Sequence, residues 1–183
     1  MTRRAVFLDR DGTLNVDKGY VYRWEDWEWI PGAVEAIRGF NKAGFLAVVI
    51  SNQAGVARGL YKAEDVLALH ERVNRELAAQ GARVEAFYFC PHHPLHGTVR
   101  DCPCRKPKPG LILQAGKELD VDLVRSYLIG DKAIDVLAAQ AAGVTPVLVR
   151  GYGSEQETQI PADVPVVENI FEAQKFIQKI RAF

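Results

Sequence analysis

Apolar and polar positions along the chain fall into two kinds of block. Short continuous apolar runs occur at AVFLD (5–9), FLAVVISN (45–52), VEAFYFC (84–90), SYLIGD (126–131) and TPVLVRG (145–151). Runs of this length without polar alternation predict strands covered on both faces. Between them lie segments with apolar residues three or four apart, which predict helices with one buried stripe. In PGAVEAIRGFNKAG (31–44), Pro31 suits a first turn, Val34, Ile37 and Phe40 form the stripe, and Gly44 suits the stop. AEDVLALHERVNRELAAQG (63–81) carries Val66, Leu69, Val73 and Leu77. GLILQAGKEL (110–119) and AIDVLAAQAAG (133–143) follow the same rule. After residue 151 the pattern predicts a polar loop, a short strand in PVVEN (165–169) and a final helix in IFEAQKFIQKI (170–180).

Strand and helix alternate, so the expected fold is α/β: a mostly parallel sheet with helices on both faces. No internal repeat, low-complexity tract or linker interrupts it, which implies one domain over 1–183. In such a sheet, ligands bind beyond the carboxyl ends of the strands. The residues at those ends read DRDGT (9–13), SNQAG (51–55), CPHHP (90–94) and GDKAID (130–135).

Composition narrows the partners. Basic and acidic residues balance at 23 each, with no basic stripe or polybasic tail, which argues against nucleic acid and membrane surfaces. The apolar run after the N-terminal MTRR is too short for a secretory signal, and no run reaches the ~18 residues of a membrane span. A cytoplasmic monomer is the expectation. The three cysteines all lie between positions 90 and 104, a poor basis for disulfides and a better one for a metal.

Asp9 and Asp11 leave one strand together, and Asp131 leaves another. Carboxylates this close repel unless a cation lies among them, and hard oxygen ligands favour Mg²⁺. A lone aspartate in a DG turn can simply cap that turn. That bland role leaves the second strand ending in GD unexplained. A carboxylate beside Mg²⁺ can attack phosphorus, and a second one two positions on can serve as acid and base. Ser51 and the amides of Asn52 and Gln53 offer donors, and Lys106 in RKPKPG offers a positive charge.

DRDGT, SNQ, RKPKPG and GDKAID together resemble the four ordered motifs of the haloacid dehalogenase (HAD) superfamily of phosphatases, over about residues 5–150. The resemblance implies a Rossmannoid three-layer α/β/α fold. It implies Asp9 as nucleophile, Asp11 as general acid/base, and Ser51 and Lys106 on the phosphoryl group. Mg²⁺ would sit on the Asp9 side chain, the Asp11 carbonyl and Asp131. Asp135 would support Lys132 or the metal's waters. Neither segment that could hold a cap domain is long enough for one, so the site should be open.

The segment CPHHPLHGTVRDCPCRKPKPG (90–110) holds Cys90-x-His92 and Cys102-x-Cys104, two ligand pairs that make a Cys₃His set for structural Zn²⁺. His93 and His96 are alternative ligands. A zinc loop (90–104) directly before the lysine motif is similar to two groups of the superfamily, the heptose 1,7-bisphosphate 7-phosphatases and the histidinol-phosphate phosphatases. CPHHP, NVDKGYV, SNQAGVARG and GDKAID lean to the first. That resemblance implies a sugar carrying two phosphates. Arg105, then Lys132, would hold the remote phosphate, Asn52 and Gln53 would bond sugar hydroxyls, and Arg58 is a weaker candidate. In YVYRWEDWEWI (20–30) the tryptophans read as loop packing, whereas Tyr20 and Asp17-Lys18-Gly19 should border the site. The rivals from other classes are a phospho-acceptor signalling domain and a zinc-stabilised binding module.

Overall fold

The structure is a computed structural model and describes residues 2–150 and 160–180. Six parallel strands form one sheet in the order β3-β2-β1-β4-β5-β6. They are β1 (Arg4–Leu8), β2 (Phe45–Asn52), β3 (Ala86–Cys90), β4 (Tyr127–Gly130), β5 (Thr145–Val149) and β6 (Val166–Val167). The helices are α1 (Ala33–Lys42), α2 (Ala63–Ala79), α3 (Gly110–Glu118), α4 (Ala133–Ala141) and α5 (Ile170–Ile180). Among the described residues no separate cap interrupts this order, and no helix is long and apolar enough to cross a membrane.

The continuous apolar strands explain the three layers. On β1, Val6 and Leu8 join a buried cluster with α1, α2 and α5, among them Phe40, Leu77 and Ile177. Ala5 and Phe7, on the opposite face, pack in a second cluster with Leu111, Ile112 and Ala115 of α3 and Ala138 and Ala139 of α4. A strand buried on both faces needs apolar side chains at both parities. The chain steps outward from β1 to β3 on one side and from β4 to β6 on the other. The strand order therefore reverses between β1 and β4, and a crevice opens at their carboxyl ends.

One boundary departs from the pattern. Pro31 precedes α1 instead of occupying its first turn, because Gly32 takes a left-handed φ of 83° before the helix begins. A β-carbon on Gly32 would lie 2.8 Å from Cβ of Phe171 on α5, so the turn also needs glycine for space. Gly151 and most of the polar loop expected after it lie outside the described residues.

Candidate active site

Asp9 follows β1 directly, and its amide still bonds Ile129 O of β4 at 2.9 Å. This extra rung fixes the carboxylate at the crevice. Asp131 follows β4 on the neighbouring strand. Gly12 (φ 92°) turns the chain between them, and a β-carbon there would come within 2.2 Å of Asp131 Oδ2. Lys106 arrives from the segment before α3. Its Nζ lies 2.6 Å from Asp9 Oδ1, 2.5 Å from Asp135 Oδ1 and 3.0 Å from Ile50 O. Asn52 holds the Lys106 backbone by both ends of its amide, each bond 3.1 Å.

Charge is unbalanced here. The carboxylates of Asp9, Asp11, Asp131 and Asp135 face two buried cations, Arg10 and Lys106, and the partly exposed Lys132, whose Nζ is 3.8 Å from Asp131 Oδ2. Burial, opposed by Lys106 and helped by Asp135, pushes the Asp9 pKa up to about 6. Burial and the nearby Asp9 push Asp131 up to about 8. Burial alone would discharge Lys106, but Asp135 and Asp9 outweigh it and raise its pKa. Asp131 Oδ1 is buried without a hydrogen-bond partner. Oxygens of Asp9, Asp131 and Asp135 lie within 4.8 Å of one another. An excess of buried carboxylate with an orphaned oxygen fits a hard divalent cation.

Asp11 is held apart from that group. It accepts Arg10 Nε and Nη2 (3.1 and 2.9 Å), Asn15 Nδ2 (2.9 Å) and Gln53 Nε2 (3.0 Å). Burial would raise its pKa, but Arg10 and the amide donors hold it below the usual carboxylate range. Arg10 is fully buried, with Nη2 also on Val21 O at 2.5 Å. Nothing in the periodicity marks Arg10. Its one signal is a basic residue wedged between two carboxylates at a strand end.

A cleft of about 340 Å³ opens over these groups, lined by Asp9, Asp11, Ser51, Asn52, Gln53, Lys106 and Lys132, with Asp17, Gly19 and Tyr20 at its edge. Several expected substrate contacts are arranged differently. The Asn52 amide is spent on Lys106, and the Gln53 amide bonds Asp11, Ser51 and Tyr61. Arg105 does not line the cleft; its Nη1 donates to His92 O at 3.0 Å. Lys132 lines the cleft, its Nζ 3.3 Å from Asp17 Oδ2. Arg58 lies over Tyr20 at 5.8 Å and 3.3 Å from His93 Nε2. Asp135 supports Lys106 and the Lys132 backbone amide (3.1 Å), whereas the Lys132 side chain turns to Asp17. As expected for loop packing, Trp27 lies in the core and meets Trp29 edge-on at 5.0 Å.

Cys90, His92, Cys102 and Cys104 form the second ligand cluster. Cys90 Sγ is 3.6 Å from Cys102 Sγ, 3.2 Å from Cys104 Sγ and 3.7 Å from His92 Nδ1, and Cys104 Sγ is 3.4 Å from His92 Nδ1. A tetrahedron with metal–sulfur bonds of ~2.3 Å has edges of ~3.8 Å, so these atoms sit close to ligand corners. His93 and His96 pair with each other outside the cluster, ring centroids 4.7 Å apart.

Comparison with known proteins agrees with this geometry. A family model described as HAD-hydrolase-like matches residues 103–173. The crystal structure of D,D-heptose 1,7-bisphosphate phosphatase from B. bronchiseptica, complexed with magnesium and phosphate, superposes with a TM-score of 0.84 at 32% identity. It covers 97% of this chain and 99% of that one. Fold and site thus define a HAD-type phosphatase. D-glycero-beta-D-manno-heptose-1,7-bisphosphate 7-phosphatase of Yersinia pestis is 47% identical over 151 residues, 80% of each chain. The enzyme of the same name from Photorhabdus laumondii is 40% identical over 182 residues, 97% of this chain and 96% of its own. The chain belongs to this family of heptose-bisphosphate phosphatases.

Proposed function

We propose that the protein is a Mg²⁺-dependent phosphatase that hydrolyses the C7 phosphate of D-glycero-D-manno-heptose 1,7-bisphosphate and leaves heptose 1-phosphate. The carrying observation is Asp9, clamped by Lys106 through one oxygen at the floor of the cleft with Ser51 beside it. Its Oδ2 takes no hydrogen bond among the described residues and is the attacking atom. It bonds to phosphorus as the bond from phosphorus to the C7 oxygen breaks, giving an aspartyl-phosphate. Asp11 protonates the departing oxygen, then takes the proton of the water that attacks the aspartyl-phosphate. The donors around Asp11 favour its ionised form, which suits the base half; the acid half requires that it first gain a proton. Lys106 and Ser51 hold the equatorial oxygens. Asp9, Asp131 and the Asp11 carbonyl would hold Mg²⁺, which would supply charge screening between carboxylate and phosphate.

Lys132, on the cleft wall, is the better candidate for the remote phosphate, since Arg105 faces the His92 carbonyl. Zn²⁺ on Cys90, His92, Cys102 and Cys104 would close a loop whose residues 94–101 are exposed, leaving no open coordination position for chemistry. The same reading takes the chain as one domain, monomeric and cytoplasmic, its thiols reduced for metal. Phosphate release from heptose 1,7-bisphosphate and from histidinol phosphate, measured side by side with Mg²⁺, tests the substrate. The bisphosphate should be strongly preferred, with heptose 1-phosphate as product. Preference for histidinol phosphate, or release of the C1 phosphate, would overturn the assignment.

A further inference from the structure

Ser51 can donate to a phosphoryl oxygen only if its proton points into the cleft. A serine hydroxyl rotates freely, so something must set its direction. Gln53 Nε2 lies 2.7 Å from Ser51 Oγ and 3.0 Å from Asp11 Oδ2. Asp11 Oδ2 already accepts from Arg10 Nε at 3.1 Å, so it acts as an acceptor. The Gln53 atom facing it must therefore be the amide nitrogen, and the two N–H groups go one each to Asp11 and Ser51. That leaves Gln53 Oε1 facing Tyr61 Oη at 2.8 Å, and the phenol must donate. Both N–H groups and the oxygen of the amide are then engaged. Ser51 Oγ accepts from Gln53, and its own proton has no protein acceptor among the described residues. The cleft is where that proton can go.

Tyr61 is built to hold this arrangement. It is 7% exposed, its ring lies so close to Gly55 that a β-carbon there would be 2.2 Å from Cε1, and it stacks on Tyr22 at 4.8 Å and 17°. Burial pushes its pKa up to about 12, so the phenol keeps its proton. Gln53 is 2% exposed. Without the phenol its Oε1 would be buried without a donor, a costly state. Turning the amide to relieve it would take the N–H away from Ser51 Oγ and put an oxygen in its place.

We propose that Tyr61 is a positioning residue that fixes the Gln53 amide and thereby aims the Ser51 proton at the transferring phosphoryl group. This deepens the phosphatase reading and rests on it. No apolar pattern or motif flags Tyr61, which follows the glycine-containing turn after the second motif by several residues.

The test is a double-mutant cycle in turnover of heptose 1,7-bisphosphate with Mg²⁺, using Tyr61→Phe, Ser51→Ala and the pair. Tyr61→Phe keeps the ring that packs on Gly55 and Tyr22, and a thermal melt of each variant checks that the fold is retained. Tyr61→Phe alone should lower kcat/KM by roughly tenfold and weaken inhibition by inorganic phosphate. In the Ser51→Ala background the same change should have little further effect. Wild-type turnover by Tyr61→Phe, or an undiminished loss in the Ser51→Ala background, would overturn the proposal. Failure of the wild-type chain to turn over the bisphosphate would instead overturn the phosphatase reading.

Discussion

The Asp9–Asp131–Asp135 cluster and the Cys90–His92–Cys102–Cys104 cluster lie on the same edge of the sheet, yet they are held together differently. The carboxylates carry part of their own counter-charge. Lys106 bridges Asp9 and Asp135 from a buried position, and its backbone is tied to Asn52. Among the described residues no buried lysine or arginine bridges the sulfur cluster, and burial pushes the Cys90 thiol up. The loop it closes is exposed over residues 94–101, with Leu95 and Val99 in solvent. The carboxylate site should therefore keep its shape without metal, as a site that needs metal for chemistry. The sulfur site should need metal for its shape.

The largest expected effect lies in the first cluster. Asp9→Asn should lower turnover by about 10⁴-fold or more while the melting curve stays cooperative, because the amide fills the same space and relieves repulsion. Near-normal phosphate release would remove Asp9 as nucleophile. Asp131→Asn should cost roughly 10²-fold in Mg²⁺-supported turnover. In metal-free buffer it should raise Tm by about 5 °C, because one buried carboxylate facing Asp9 is gone. A lower metal-free Tm would deny that the carboxylates are under mutual strain.

Metal stripping addresses the contrast itself. Removing Mg²⁺ should abolish activity and move Tm by less than about 3 °C. Removing the ion from the sulfur site should lower Tm by about 10 °C and reduce activity through displacement of Lys106. Equal shifts in Tm would erase the distinction between the two clusters.

The smallest effect comes from a group outside both sites. His70 on α2 is buried, stacked on Phe87 at 4.5 Å, and neither ring nitrogen has a partner. Burial lowers its pKa to about 3. The unfolded chain, with an ordinary histidine near 6.5, then binds the proton first as pH falls. Stability is full above about pH 7 and declines from 6.5 toward 3, with about 2 kcal/mol lost from this group at pH 5. His70→Phe should flatten that part of the pH–Tm curve; an unchanged curve would assign the acid sensitivity elsewhere.

The fold was readable because strands buried on both faces must be apolar throughout, so β1, β2 and β4 stand out as unbroken runs. The ends of elements were less so, as at Pro31, where the left-handed Gly32 and its fit against Phe171 on a distant helix set the helix start. Of the site, the motif positions Asp9, Ser51 and Asp131 were legible as strand-end residues and Lys106 by its motif: Asp9, Ser51 and Lys106 line one cleft, and Asp131 lies beside Asp9. What the amides do was not legible. Asn52 meets Lys106 across 54 residues and Gln53 meets Asp11 across 42, and no local pattern encodes those pairings. Arg10 and Tyr61 escaped although Asp11 and Gln53 are near them in sequence, because the irregular turns after β1 and β2, and no periodicity, decide which way those side chains face.

The measurement that bears most directly on this account is acid-quenched mass spectrometry of the enzyme within a single turnover of heptose 1,7-bisphosphate and Mg²⁺. A phosphoryl adduct on Asp9 in the wild-type enzyme, absent in Asp9→Asn, is the predicted result. Complete hydrolysis with no adduct on Asp9 at any quench time, and an active Asp9→Asn enzyme, would contradict it.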